Sequence, residues 1–299
     1  MRSRDEHAKN LSREPSWHQS IQLNVARERN LSQSEKGKIR IGIGGWAYAP
    51  WRGTFYPKDL PQKRELAFAS QRLTSIEINA TFYRTQKPES FAAWRDSTPD
   101  EFVFSLKAPR FTTHRRTLAD AGESIERFVA SGVAELGTKL GVINWQFAPT
   151  KTFDPQDFTA FLKLLPRSVH GQALRHALEV RHMSFHTRTF LELAREAGVA
   201  VVIAADSPYP QLADMTAPFV YIRIMGARQS ERLGYAEAEI ALWARRAKIW
   251  ASGGEPDGLS RLEDAKSNRP MRDVYLYVIG GEKVRNPAAA MALISRLNN

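Results

Sequence analysis

From Ile39 onward the chain alternates a short strand-like run with a helical pattern, and few folds can absorb that rhythm eight times over. The strand-like runs are Ile39–Gly44, Ser75–Asn79, Phe102–Lys107, Leu140–Trp145, Ala177–Arg181, Ala200–Ala205, Phe219–Ile224 and Asp273–Ile279. Helical periodicity falls between them, around Lys63–Arg72, Glu89–Asp96, Glu123–Leu136, Pro155–Leu164, Ser184–Glu196, Ala236–Trp250 and Pro287–Arg296. After the sixth run comes Ser207-Pro208-Tyr209-Pro210, where no helix can be placed. Eight such units over roughly 260 residues predict an α/β fold, a TIM-type (β/α)8 barrel. The competing doubly wound sheet would carry a Gly-rich phosphate turn opening directly into a helix. Gly42, Gly44 and Gly45 do not spell that turn, and the aromatic, Pro-interrupted stretch Trp46–Pro57 follows them.

In a barrel, successive side chains of a strand point alternately to the interior and to the helix layer. The apolar parity of each run therefore tells which residues face inward. Ile76 and Ile78 face helices, which turns Glu77 and Asn79 inward. Phe102, Phe104 and Leu106 leave Val103, Ser105 and Lys107 inside. Leu178 and Val180 leave Ala177, Glu179 and Arg181. Val220, Ile222 and Ile224 leave Tyr221 and Arg223. The sixth run is apolar on both faces and ends in Asp206 at the mouth. One rule, applied strand by strand, thus delivers Glu77, Asn79, Lys107, Glu179, Arg181, Asp206 and Arg223 to one end of the barrel. Enzymes of this fold build their sites at that end. A closed salt-bridge network filling the upper barrel layer is the alternative, at the cost of burying charge.

Two loops add character. Trp46, Tyr48, Trp51, Phe55 and Tyr56 crowd the end of the first run and could stack on a base or sugar face, or cover the rim. After Lys107 the loop Arg110-Phe111-Thr112-Thr113-His114-Arg115-Arg116 is basic, carries a histidine and suits anion capture. Glu77, Glu179, Asp206, His114 and His182 are residue types that ligate a divalent metal, but no H-E-x-x-H or similar spacing supports one, so the metal and any cofactor are left unknown. Three cations in the same mouth disfavour a multi-metal cluster and favour an anionic ligand. Barrel glycosidases commonly place carboxylates after the fourth and seventh strands; here those ends carry Asn144-Trp145-Gln146 and Arg223. Neither G-x-S-x-G nor a P-loop occurs.

Composition bounds the rest. The absence of cysteine excludes disulfides, thiolate catalysis and Cys-ligated metal centres. With no apolar run of membrane-spanning length and no secretory h-region in the first 30 residues, the expectation is a cytoplasmic protein with no membrane partner. A net charge of +11 suits phosphates or nucleic acid as partners, and equally a plain basic surface. Residues 1–38 are polar and weakly periodic and read as a mobile or disordered extension, leaving 39–299 as the barrel domain.

The assembled motifs carry a resemblance. Ile41-Gly42-Ile43-Gly44-Gly45-Trp46-Ala47-Tyr48 with Trp51, Gly53 and Phe55-Tyr56-Pro57, then Glu77-Ile78-Asn79-Ala80-Thr81-Phe82-Tyr83, form its first half. Phe104-Ser105-Leu106-Lys107-Ala108-Pro109 with Thr113-His114, Glu179-Val180-Arg181-His182, Asp206-Ser207 and Tyr221-Ile222-Arg223 with Gly226 complete it. From Ile39 to Leu297 the chain resembles the YecE-like family, domain of unknown function 72. The resemblance implies a TIM-type barrel and says little of activity. One departure stands out: the family's eighth strand runs into an Asn-Asn-Asp-like turn, whereas here the chain reads Val278-Ile279-Gly280-Gly281-Glu282.

Two functional readings follow. In the first, the protein is an enzyme acting on a phosphate-bearing substrate, a nucleic acid or a sugar phosphate. Glu77, Glu179, Asp206 and His114 then form the catalytic set, and Asn79, Lys107, Arg181, Arg223, Tyr221, Trp46 and Tyr48 bind the substrate. In the second, the same mouth holds nucleic acid or a small anion without catalysis.

Overall fold

The computed structural model describes residues 37–264 and 270–298. The expected N-terminal extension, apart from Gly37 and Lys38, lies outside the described residues. Those two are tied to the barrel: Gly37 N donates to Ala251 O at 2.9 Å and Lys38 N to Asp273 Oδ1 at 2.9 Å.

The strands are β1 (Ile39–Gly44), β2 (Ser75–Ile78), β3 (Val103–Lys107), β4 (Leu140–Gln146), β5 (Ser168–Val169), β6 (Gln172–Ala173), β7 (Arg175–Glu179), β8 (Ala200–Val201), β9 (Ile203–Ala205), β10 (Phe219–Ile224) and β11 (Asp273–Val278). β5 and β6 form a small antiparallel hairpin apart from the main sheet. The other nine pair in parallel, in the order β8-β7-β4-β3-β2-β1-β11-β10-β9. β8 and β9 are the two halves of the sixth strand, separated only by Val202. The lower half pairs with β7 (Ala177 opposite Ala200, Leu178 opposite Val201) and the upper half with β10 (Ile222 opposite Ile203). Val202 N bridges to Leu178 O at 3.0 Å. The sixth strand therefore joins both ends of the sheet, and the expected eight-stranded parallel barrel closes through it.

Two apolar clusters reproduce the parity rule. Ile76, Ile78, Phe104, Leu106, Leu178, Ile222 and Ile224 belong to the large cluster between sheet and helices. Val103, Val142, Ala177, Val202, Tyr221, Tyr275 and Tyr277 form a smaller one inside the barrel. The interior is a packed column, with Tyr221 stacked on Tyr275 and tilted against Tyr277. Tyr277 OH lies 2.7 Å from both Ser75 Oγ and Ser105 Oγ, so its buried hydroxyl is satisfied.

The helices follow from their caps and faces. Asp154 accepts from Gln156 N and Asp157 N, and Pro155 opens the helix Pro155–Leu164, where a missing N–H costs nothing. Phe158 and Phe161 of that helix pack with Phe147, Phe185 and Phe190. Each such ring contributes roughly 1.5–3 kcal/mol by leaving water. The expected helix Glu123–Leu136 is shorter, Gly122–Val129, because Gly132 turns left-handed (φ 113°) and a 3-10 segment Val133–Lys139 follows. Asp206 to Pro218, after β9, contains no helix, in keeping with its prolines. Two short helices escaped the sequence pattern: Ala80–Tyr83 directly after β2 and Arg110–Thr113 directly after β3. Both cap the mouth. Among the described residues no helix is long and apolar enough to cross a membrane.

Candidate functional site at the strand C-termini

Glu77, Lys107, Asn144, Gln146, Glu179, Tyr221 and Arg223 meet inside the barrel where β2, β3, β4, β7 and β10 end, and all seven are buried. Register makes this unavoidable: Lys107 stands opposite Asn144 and Gln146 opposite Glu179. Arg223 is the hub. Its Nη2 lies 3.2 Å from Glu77 Oε1, and its Nη1 donates to Glu179 Oε2 and, at 3.3 Å, to Gln146 Oε1. Arg181 forks onto Glu179 Oε1 through Nε (2.8 Å) and Nη2 (2.6 Å) and reaches Gln146 Oε1 at 2.9 Å. Tyr221 OH donates to Glu77 Oε2 at 2.6 Å, and Asn144 Nδ2 spans both carboxylates at 3.4 and 3.2 Å.

The charges set the chemistry. Burial alone would raise the Glu179 carboxyl, but Arg223, Arg181 and Lys107 outweigh it and hold it at about 2, so Glu179 is a fixed anion near neutrality. Burial and the Glu77 charge push Tyr221 well above its ordinary value and keep it a donor. Arg223 is held firmly protonated: burial disfavours its charge, yet Glu179 and Glu77 prevail. Lys107 differs from all of these. Burial, with Arg223 beside it, brings its amine down to about 8, against a partial pull upward from Glu77 and Glu179. Its ammonium lies 3.9 Å above the Phe82 ring, and no hydrogen bond or ion pair holds it among the described residues.

Other expected members take different places. Arg181 stacks over Tyr209 at 4.3 Å, a loop residue the sequence reading left aside. His114 stands at the rim with its ring 5.7 Å from Phe82; partial burial, then Arg110, Arg181 and Lys107, hold its imidazole below the ordinary value. Asn79 starts the short helix after β2, with Oδ1 buried and unpaired. Asp206 corrects the expectation. Its backbone is left-handed (φ 54°), and its carboxylate meets the Trp243 side chain and the charges of Glu239 and Arg246 on the helix Glu237–Ala251, away from the cluster. His182 caps the 3-10 turn Met183–Phe185.

Of the two roles open to the aromatic loop, the contacts show the second, its rings packing on one another and on their neighbours. Trp46 packs edge-on against Trp94 and Phe104, and Tyr48 against Trp51, with Lys283 Nζ 4.2 Å over the Tyr48 ring. The loop covers the rim. Asn144 and Gln146 are cluster members the sequence reading did not assign, although the same parity rule marks them, alternating with Ile143 and Trp145. The Gly280-Gly281 turn packs against Met225 and Ala227, and a side chain at Gly281 would strike Ala227 O at 2.4 Å. Gly280 and Gly281 therefore bring no acid or amide side chain to the end of β11.

Both carboxylates are engaged by one guanidinium. Among the described residues no three His, Asp or Glu side chains gather to hold a metal. A cleft of about 710 Å3 lies at the opposite end of the barrel, near Leu174 and Val199. The imidazole in its lining, His176, is already satisfied by Trp145 Nε1 and Pro166 O.

Known proteins of the same kind frame this geometry. The chain is 27% identical over 150 residues to the UPF0759 protein YecE of Escherichia coli (strain K12), covering 50% of this chain and 51% of that protein. It is 28% identical over 160 residues to the UPF0759 protein YunF of Bacillus subtilis (strain 168), covering 52% and 54%. The chain thus matches about half the length of these curated relatives. Crystal structures of DUF72 family proteins from Thermotoga maritima MSB8 and Enterococcus faecalis V583 superpose with TM-scores of 0.67 and 0.64. They share 19% and 18% identity and cover 88% and 89% of this chain and 100% and 99% of their own, a likeness of fold. The family profile described as "Protein of unknown function DUF72" matches residues 40–299, and the chain belongs to that family.

Proposed function

We propose that the barrel mouth binds an anionic, phosphate-bearing small substrate and acts on it as an enzyme. One observation carries the reading: three cations (Lys107, Arg181, Arg223) meet two carboxylates (Glu77, Glu179), and Lys107 is the cation without a carboxylate partner. A buried surplus positive charge is costly, and an arriving anion relieves it. Arg181, with a side chain 16% exposed, faces the same opening. Glu77 and Glu179 orient Arg223 and Arg181, and His114, held toward its neutral form at the rim, is placed to exchange protons with a bound substrate.

The test is titration with inorganic phosphate and pyrophosphate, followed by calorimetry and by the resonances of the Arg side chains. The expected result is saturable binding that weakens at least about tenfold in Lys107→Met, the change for loss of one charge-assisted contact. Equal affinity in wild type and Lys107→Met would remove the anion from this site.

A second reading, binding of single-stranded nucleic acid, has its own observation. Tyr83 and Phe111 are exposed beside the mouth, next in sequence to the exposed Arg84 and Arg110, and Arg110 lies 5.9 Å from the Tyr83 ring. Rings interleaved with arginines suit stacked bases. Affinity for a short oligonucleotide should then fall steeply with salt and fall again in Tyr83→Ala. Salt-independent affinity rules this reading out.

A further inference from the structure

We propose that Lys107 is a covalent catalyst: its amine forms an imine with an aldehyde or ketone substrate that also carries a phosphate or carboxylate. The inference rests on the anionic-substrate reading above and names the chemistry at its reacting end.

The geometry singles out this lysine. It ends β3 inside the barrel, 7% exposed, at the mouth. Its backbone is pinned, because Thr81 Oγ1 donates to Lys107 O at 2.7 Å. The amine rests on the Phe82 face, while the carboxylates that could have claimed it are taken by Arg223 and Arg181. Among the described residues the other buried lysine, Lys139, shows the contrast: its Nζ donates to Arg95 O and Thr98 O, both at 2.7 Å, and is spent on structure. A lysine becomes a nucleophile by desolvation and by cationic neighbours, and Lys107 has both. An amine at about 8 rather than 10.5 is free base roughly 300 times more often at neutral pH. Lower intrinsic nucleophilicity returns part of that gain and leaves about a twentyfold advantage, by analogy with the thiol case.

The step balances without a redox partner. The Nζ lone pair adds to the carbonyl carbon, and the carbonyl π pair moves to oxygen, which takes a proton while the nitrogen, made cationic by the addition, releases one. The carbinolamine then loses its hydroxyl with a second proton as water while nitrogen forms the C=N bond. One amine, one carbonyl and one proton give one iminium and one water. His114 at the rim and bulk solvent are the proton carriers. The iminium then withdraws electrons from the adjacent carbon, which is the catalytic use of such an adduct.

The experiment traps that adduct. The full chain is incubated at pH 7 with sodium cyanoborohydride and, separately, dihydroxyacetone phosphate, pyruvate or uncharged hydroxyacetone, and then mapped by peptide mass spectrometry. The expected result is hydride-fixed modification of the Lys107 peptide at least about tenfold faster than at an exposed lysine such as Lys58, and faster with a charged probe than with hydroxyacetone. Whichever charged probe reacts faster tells phosphate from carboxylate. Equal labelling of Lys107 by hydroxyacetone keeps the imine and overturns the anionic-substrate reading. Labelling of Lys107 no faster than Lys58, with inorganic phosphate still bound, overturns the imine and leaves the anion site standing.

Discussion

Lys107 Nζ sits 3.9 Å above the centre of the Phe82 ring, and that ring face is its closest compensation for leaving water. A cation–π contact returns about 0.5–2 kcal/mol, less than burial of an ammonium costs. The site therefore stores instability at one residue, a common signature of function.

It follows that Lys107→Met should stabilise the fold at neutral pH, by about 1–3 kcal/mol. The sign follows from linkage. The folded-state amine titrates at about 8 and the unfolded one near 10.5, so the wild-type penalty is full below 8 and shrinks as pH rises through that window. Urea unfolding at pH 7 and pH 9.5 reads it: the variant's advantage should be larger at pH 7. A variant less stable than wild type at both pH values would show that Lys107 is structural.

Glu179→Gln should do the opposite. It removes the partner of both Arg223 and Arg181 and leaves guanidinium charge buried, at a cost of about 3–5 kcal/mol. Because the wild-type carboxyl is held at about 2 against 4.5, its contribution is complete above 4.5 and is lost as pH falls toward 2. Denaturant midpoints of the two proteins should be far apart at pH 7 and converge near pH 2. A constant gap would place the stabilising interaction elsewhere.

Tyr221→Phe tests whether the hydroxyl matters through Glu77. The 2.6 Å bond to a buried carboxylate predicts a loss of about 1.5–3 kcal/mol. In the cycle with Glu77→Gln the two losses should fail to add, because each single change already breaks the same bond. Additive losses would mean that Tyr221 acts by filling the interior column alone.

The barrel and most of its charged layer were legible because period and parity are local properties. Ile76 and Ile78 against Glu77, or Ile222 and Ile224 against Arg223, fix which way each side chain points without knowledge of its neighbours. Asn144 and Gln146 were equally legible and simply went unassigned. Asp206 was not legible: a left-handed backbone reverses where a strand-end side chain goes, and nothing in Ala205-Asp206-Ser207 announces it. Partner choice was hidden too. Parity brings five charges together but does not say that Glu77 and Glu179 will share Arg223 and leave Lys107 over a ring.

The glycines that failed to make a phosphate turn have a reason of another kind, and it gives the last prediction. A Cβ on Gly42 would lie 2.0 Å from Ser75 O and 3.2 Å from Tyr277 Cδ1. Ser75 is backbone of the adjacent strand and Tyr277 is locked between two serine hydroxyls, so neither can yield. Gly42→Ala should therefore cost about 3 kcal/mol or more by overpacking. Gly122→Ala is the control, at the first turn of a helix where the nearest atom is Leu164 Cδ2 at 3.6 Å. It should be neutral or add up to about 1 kcal/mol by restricting the unfolded chain. Thermal unfolding of both variants decides it. If Gly42→Ala unfolds with Gly122→Ala, β1 does not approach β2 as closely as described, and the clearance that lets Ser75 and Tyr277 pack beneath the charged layer is not set by this glycine.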